Sequence, residues 1–286
     1  MSTLVPPIKC QGIKTKLVPL INQIQLAPIN GRWVEPFCGS CVIALNLQPK
    51  HALLADTNPH VIGFYRDIQQ GRITPESVRA FLEHEGKLLQ QKGEVHYYDI
   101  RRRFNQEPNS LDFLFLNRAC FNGVMRFNQK GEFNVPFCRK STRFTLAYIT
   151  KIVNQIARFV QTLATRRWEF VVADFRETLQ AVHPEDVVYA DPPYIGRHTD
   201  YFNHWNASDD LLLRQALQRL PCRFVLSTWY SNQYRINDTL FNWIDNQFDI
   251  ITWQHFYHVG ASETLRNAMT EALIANFHTG CAPVKL

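Results

Sequence analysis

The chain has 286 residues, 45% of them hydrophobic and 20% charged. That balance excludes a disordered polymer and permits a core in one large or two modest domains. The longest unbroken apolar run, Cys41 to Leu45, is too short for a membrane span, and the N-terminal MSTLVPPIKC lacks the apolar stretch of a secretory signal. Seven cysteines at irregular spacing argue against a disulfide framework and for a reducing cytosol, while the formal charge of +6 suits a polyanionic partner without selecting one.

Residues 13–27 set Leu17, Leu20, Ile21 and Ile24 at helical spacing, which predicts a helix. Residues 32–35 read as a short strand, followed by Gly39 and an apolar helix to about Leu47. Residues 51–56 read as a second strand ending in an acid. Three helical stretches fill 60–110: VIGFYRDIQ, PESVRAFLEHEGKLLQQ and VHYYDIRRRF. Over 118–143 polar and aromatic residues alternate around 128–131, a hairpin pattern with Gly131 available for positive φ. From Arg126 to Arg143 five basic residues stand against one acidic residue. Then come a helix at 147–164, strands at 169–174 and 186–190, a helix at 208–219, and strands at 224–228, 250–256 and 272–277. The alternation predicts a parallel-type sheet covered on both faces, with the basic hairpin region inserted between its halves.

Two segments carry the chemistry. Glu35-Pro36-Phe37-Cys38-Gly39-Ser40 joins a strand to a helix through small residues, so backbone can approach a ligand closely. Asp56 ends the next strand, where nucleotide-binding α/β folds place an acid on ribose hydroxyls. An ordinary strand–turn–helix with an exposed acid is the competing reading, and this segment alone does not decide. Asp191-Pro192-Pro193-Tyr194 is more specific, because it follows the apolar strand DVVYA. Its prolines fix φ and remove two N–H donors. Their carbonyls and the Asp191 carboxylate form a rigid acceptor cluster beside the flat ring of Tyr194. Such a corner suits the exocyclic amino group of a planar base; a proline-rich turn is the bland alternative.

Other patterns lead nowhere. Cys38-x-x-Cys41 has no second pair, so no metal site is read. His255 and His258 lack ligand-spaced partners and are expected to pack or bond locally. Ser40 and Ser227 lack a histidine motif that would make either a nucleophile. Arg101-Arg102-Arg103 fits a solvated helix face or a phosphate contact equally well.

Together these segments resemble the Dam-type, α-group (D12 class) DNA adenine-N6 methyltransferases. The order of parts is similar: cofactor loop, recognition insert, then Asp-Pro-Pro-Tyr. Lys9-Cys-Gln-Gly-Ile-Lys14, Asn122-Gly-Val-Met-Arg126-Phe-Asn and Gly131-Glu-Phe-Asn-Val-Pro136-Phe also match. VPPIK, QGIKTKLVP, DTNPH, LDFLFLNR, FNVPFC, DPPYIGRH and HFYHVGAS extend the likeness over nearly the whole chain. It is nearest to modification enzymes of GATATC systems.

The resemblance implies an α/β fold: a Rossmann-like S-adenosylmethionine-dependent methyltransferase sheet with an inserted, mainly helical DNA-recognition domain carrying a β-hairpin. Residues 1–60 and 147–286 would form the catalytic domain and 61–146 the recognition domain, with the hairpin at about 118–140. The implied catalytic residues are Asp191, Pro192, Pro193 and Tyr194. Lys14, Asp56 and Asp191 match contacts to S-adenosyl-L-methionine, as does Cys10 at a position often aromatic in relatives. Glu35, Phe37, Gly39 and Ser40 belong to the loop around its methionine part, and Asp174 and Phe175 face its adenine ring.

For DNA, Arg126 matches a guanine-reading arginine, Val124 an apolar wedge and Pro136 a thymine-methyl contact. Phe121 and Asn122 handle the vacated or neighbouring base, Lys9 lies near the first base pair, and Asn128 belongs to the hairpin tip. Arg139, Lys140 and Arg143 would contact phosphates. At Cys41, where a second glycine often stands, positive φ is not expected.

The implied partner is double-stranded DNA, with no metal and no membrane. The implied protein is a monomer in a bacterial or phage-infected cytoplasm, beside the nucleoid, with a possible cognate endonuclease acting separately. The implied target is the first adenine of GATATC, with GATC as competitor. Amino-methylation of RNA or protein, or a non-catalytic DNA-binding module, are the other readings. Aspartate at 191 and the basic insert disfavour the former; intact Lys14, Asp56 and Asp191 disfavour the latter.

Overall fold

A computed structural model describes residues 3–24, 26, 28–194, 205–232, 234, 236–244, 247–256 and 268–281. In chain order the elements are α1 (Val18–Ile21), β1 (Trp33–Glu35), α2 (Val42–Leu47), β2 (His51–Asp56), α3 (Pro59–Gln69), α4 (Pro75–Lys92), α5 (Glu94–Gln106), α6 (Ser110–Ala119), α7 (Leu146–Thr165), β3 (Arg167–Val172), α8 (Phe175–Gln180), β4 (Val187–Ala190), α9 (Ala207–Gln218), β5 (Arg223–Asn232), α10 (Asp238–Phe241), β6 (Asp249–Phe256) and β7 (Ala268–Ala275).

The strands form one sheet in the order β3-β2-β1-β4-β5-β7-β6. β3, β2, β1, β4 and β5 run parallel, whereas β7 is antiparallel to both β5 and β6. The sheet is therefore of the parallel type expected, with an antiparallel strand near one edge. Trp33, Ala52, Leu54 and Tyr189 point into one core and Val34, Leu53, Val188 and Ala190 into the other. Both faces are buried, which is why these strands read as apolar runs.

Three departures have local causes. The helix expected over 13–27 shrinks to the four residues of α1, with Pro19 in its first turn; proline lacks an N–H and is tolerated only there. Its apolar residues still enter the core, but through turns. α6 was not expected because Asp112 through Ala119 are all buried, leaving no polar stripe to show a helical period. β3 begins and ends two residues early, so Asp174 caps α8 instead of ending the strand.

α3 packs on β2 and β3 and against α7, so the sheet layer includes a helix that lies beyond the expected boundary near residue 60. Between α3 and α7, α4, α5 and α6 pack together with the hairpin. The hairpin has no continuous ladder. It closes through isolated bridges, Cys120 with Phe137 and Phe127 with Phe133. One face of α5 holds it: Tyr97 Oη and Arg101 Nη1 donate to the Val135 carbonyl, and Asn105 exchanges two bonds with Phe133 backbone. These three residues are spaced four apart, so one helix stripe substitutes for a neighbouring strand.

Candidate active site

The chain passes from β1 to β2 to β3 on one side, then starts β4 on the other side of β1. The sheet order thus reverses between β1 and β4, where α/β sheets open a crevice at the carboxyl ends of their strands. Val34 pairs with Val188; Phe37 and Asp191 each lie three residues further on. The Gly39 loop and the Asp191 corner therefore leave adjacent strands at the same level.

The loop is pinned from several sides. Cys38 N donates to the Ala55 carbonyl at 2.8 Å and Gly39 N to Asp56 Oδ2 at 3.0 Å. Tyr65 Oη donates to the Ser40 carbonyl at 2.7 Å. Gly39 has φ +46°, and a Cβ there would meet only Cys10 Sγ at 3.6 Å, so glycine is required for conformation and not for space. Cys41 also has positive φ, 55°, as the residue before α2. This corrects the expectation from its side chain: the loop keeps the left-handed turn with a cysteine in it, at a cost of about 1–2 kcal/mol. Cys38 and Cys41 are free, buried thiols, and among the described residues no cluster of His, Cys, Asp or Glu could hold a metal ion.

Glu35 sits beneath the loop, 2% exposed. Its Oε1 accepts from Trp33 Nε1 at 2.7 Å and Ala44 N at 2.8 Å. Burial outweighs both bonds and pushes its carboxyl up to about 8. Burial also raises Asp56, whose oxygens accept from Gly39 N and Asn58 N. Two backbone donors use only half of a carboxylate's lone pairs, so Asp56 can still bind a pair of hydroxyls.

Asp191 is partly buried, with Lys14 Nζ 3.0 Å from its Oδ1. The contact is an ion pair to a buried carboxylate oxygen. Burial raises the Asp191 pKa, and Lys14 opposes the rise. Lys14 Nζ also lies 4.8 Å from the centre of the Tyr194 ring. Tyr194, expected to offer an open face, is 7% exposed and packs with Trp229 and Met269. A cavity of ≈ 260 Å³ adjoins it, lined by Pro192, Pro193, Tyr194, Thr228, Trp229 and Ile236 among others.

Sequence reasoning missed Glu271 on β7, which is buried and close enough to Asp191 for its charge to raise that pKa. Glu35, Asp56, Asp191 and Glu271 thus bring four carboxyl groups to this edge, with Lys14 beside Asp191. With Glu35 held protonated, the three other carboxyl groups against one lysine suit a cationic ligand that also carries hydroxyls. Beside the loop, Phe37 and Phe175 stack with ring centres 5.6 Å apart. Asp174 caps α8 through Arg176 N and pairs with the Arg176 guanidinium.

The N-terminal segment reaches the site because α6 holds it. Asn117 exchanges two hydrogen bonds with Lys9 backbone, both 2.8 Å. The buried Arg118 guanidinium donates to the Pro7 carbonyl and to Gln155. Neither residue was singled out, since their partners lie far away in sequence and no local pattern announces them. Lys9 packs over Gly123, next to Phe121 and Asn122. Phe121 is 55% exposed and bonds through its N–H to the Pro136 carbonyl. Pro136, Arg139 and Lys140 are exposed, and Val124 is half-buried.

Arg126 Nε donates to Asn134 Oδ1 at 2.7 Å. Asn128 is engaged in the hairpin tip: its Oδ1 accepts from Lys130 N and Glu132 N, and its Nδ2 donates to Glu132. Arg143 is tied to the Arg118 carbonyl and to Tyr148. In the arginine run, Arg103 pairs with the buried Glu85 and Asp112, Arg102 with Asp99, and Arg101 holds the hairpin. The run is thus largely structural. His258, the IGRH that follows Tyr194 and the His255 side chain lie outside the described residues.

Comparison with known proteins identifies a family. The pattern describing D12 class N6 adenine-specific DNA methyltransferases matches residues 11–259. The retron Ec67 DNA adenine methylase of Escherichia coli is 32% identical over 217 residues, covering 73% of this chain and 70% of that protein. The DNA adenine methylase of Haemophilus influenzae is 32% identical over 224 residues, 75% of this chain and 73% of that one. The type II methyltransferase M.FokI of Planomicrobium okeanokoites is 27% identical over 288 residues, 96% of this chain but 43% of that longer protein.

Proposed function

The chain belongs to the D12 class of N6 adenine-specific DNA methyltransferases, and from that premise we propose that it methylates the first adenine of GATATC in double-stranded DNA, as the modification half of a restriction–modification system. The observation that carries the reading is the Asp191-Pro-Pro-Tyr194 corner at the reversal of strand order, level with the Gly39 loop.

S-adenosylmethionine, the methyl donor of this class, supplies an electrophilic methyl on a positively charged sulfur. The residues present fit it. Asp56 and Asp191 match its positive charge and its ribose hydroxyls, Glu35 supports the loop from beneath, and the glycine turn lets backbone come close. Phe37, expected beside the methionine part, stacks on Phe175 and so offers its ring to the adenine with it, Cys10 and Ser40 lining the loop and Asp174 at its edge.

The adenine amino nitrogen is a poor nucleophile while its lone pair is conjugated into the ring. The Asp191 carboxylate and the Pro192 carbonyl accept its two hydrogens and favour the pyramidal nitrogen that can attack. Both acceptors sit on the proline-stiffened corner, aimed at the nitrogen where charge develops. Lys14 opposes the rise in the Asp191 pKa that burial causes. The target atom is inside a duplex, so the base must rotate out of the stack. The cavity beside Pro192 and Pro193 receives it, and Tyr194 stacks on it once Lys14 has moved off the ring.

The segment between α3 and α7 reads the sequence. Arg126 would bond guanine O6 and N7 in the major groove, with Asn134 holding its Nε. Val124 would act as the wedge and Pro136 would meet a thymine methyl. Lys9, Phe121 and Asn122 lie together for the bases beside the flipped one, and Arg139 and Lys140 would meet phosphates. Sequencing DNA from cells that express the chain, with detection of N6-methyladenine, tests the assignment. Modification of the first adenine in every GATATC, and not of GATC at large, is expected. Modification at GATC sites irrespective of flanking bases would replace this target with the shorter one, and absence of N6-methyladenine would overturn the reading.

A further inference from the structure

Trp205 precedes α9, whose first turn is capped by Asn206 and tied to α8 through the Arg176–Asp209 ion pair. Its ring meets Phe37 edge-on at 5.5 Å and Phe175 at 5.5 Å, while those two stack on each other at 5.6 Å. Three rings in mutual contact leave no gap for a fourth. Phe37 follows β1 and Phe175 follows β3, so they flank Asp56 at the end of β2. The indole Nε1 is buried and, among the described residues, has no hydrogen-bond acceptor. A buried N–H without a partner is rare and costly, and a tryptophan held against two other rings has no need of a polar atom for packing.

We propose that Trp205 is a cofactor-positioning residue: in the free protein its indole fills the place of the cofactor's adenine against Phe37 and Phe175, and on binding it shifts to cover that ring and donates Nε1–H to an acceptor on the nucleoside. The inference rests on placing the cofactor along this sheet edge. It explains both the crowding of the rings and the orphaned donor. The donor is costly only until the ligand arrives, so its cost in the free state becomes affinity in the bound one.

The test uses the full chain and S-adenosylhomocysteine, which binds without turnover. Calorimetry gives its Kd for the wild type, Trp205→Phe and Trp205→Ala, and thermal unfolding gives the Tm of each without ligand. Phenylalanine keeps the ring and removes the donor. Trp205→Phe should bind about tenfold more weakly, the loss of one desolvated hydrogen bond, yet unfold at no lower a Tm. Trp205→Ala should bind more weakly still. The change in tryptophan emission on binding should disappear in Trp205→Phe. Wild-type affinity in both variants would overturn the proposal, as would a Trp205→Phe protein that loses affinity and Tm together or keeps the emission change. If the wild type itself binds no S-adenosylhomocysteine, the cofactor edge is misplaced and the inference falls with it.

Discussion

Replacing Glu35 with glutamine should flatten the pH dependence of stability. The Glu35 carboxyl is raised from 4.5 to about 8, chiefly by burial, with the bonds from Trp33 and Ala44 only partly opposing it. The unfolded chain ionises this group near the lower value while the folded chain keeps it protonated. Its contribution to stability is therefore complete below the unfolded pKa, shrinks as pH rises, and is gone above the folded one. At 1.36 kcal/mol for each pH unit, raising the pH from about 6 to about 7.5 should remove about 2 kcal/mol from the wild type through this group alone. Glutamine keeps a carbonyl acceptor for Trp33 Nε1 and Ala44 N and does not ionise. Urea unfolding at a series of pH values, with the slope held common, measures the difference. The stability of Glu35→Gln relative to wild type should climb by about 2 kcal/mol across that interval. Parallel curves would mean that the folded protein does not hold the carboxyl protonated, and the account of the buried loop support would be wrong.

Arg126→Ala should relax sequence choice, losing about 1–3 kcal/mol of discrimination for one bidentate contact; the readout is the ratio of methylation rates on target and single-base-altered duplexes, and an unchanged ratio removes the hairpin from recognition. Gly123→Ala should weaken duplex binding, because a Cβ there would lie 2.4 Å from Lys9 Cδ at a φ of +67°. Adding Lys9→Ala to Gly123→Ala should then cost less than the sum of the two single changes, since the clash needs both side chains. Strict additivity in gel-shift affinities would show that Lys9 does not depend on this glycine.

Much of the fold was legible because its signals are local. β2 and β4 are apolar runs ending at acids, and Asp191-Pro-Pro-Tyr194 announces itself by adjacency to one of them. Long-range partnerships left no such trace. Asn117 and Arg118 carry no local mark until Lys9 and Pro7 are seen on the other side of their hydrogen bonds. Glu271 reads as one acid in an apolar strand, and only the sheet order brings it near Asp191. Cys41 misled for a different reason: residue preference argued against positive φ, but Cys38, Ala44 and Ala55 fix the turn around it and absorb the strain. Tyr194 was read by its chemistry alone, and the Lys14 ammonium against its ring could not be foreseen from spacing.

The central claim is that Asp191 accepts the adenine amino hydrogens. Its most direct test is transfer of label from S-[methyl-³H]adenosylmethionine to duplex DNA by the Asp191→Ala protein, beside a gel-shift measurement of duplex retention. N6-methyladenine formation should be lost while the duplex is still retained near wild-type affinity. Turnover at a rate close to wild type would contradict it.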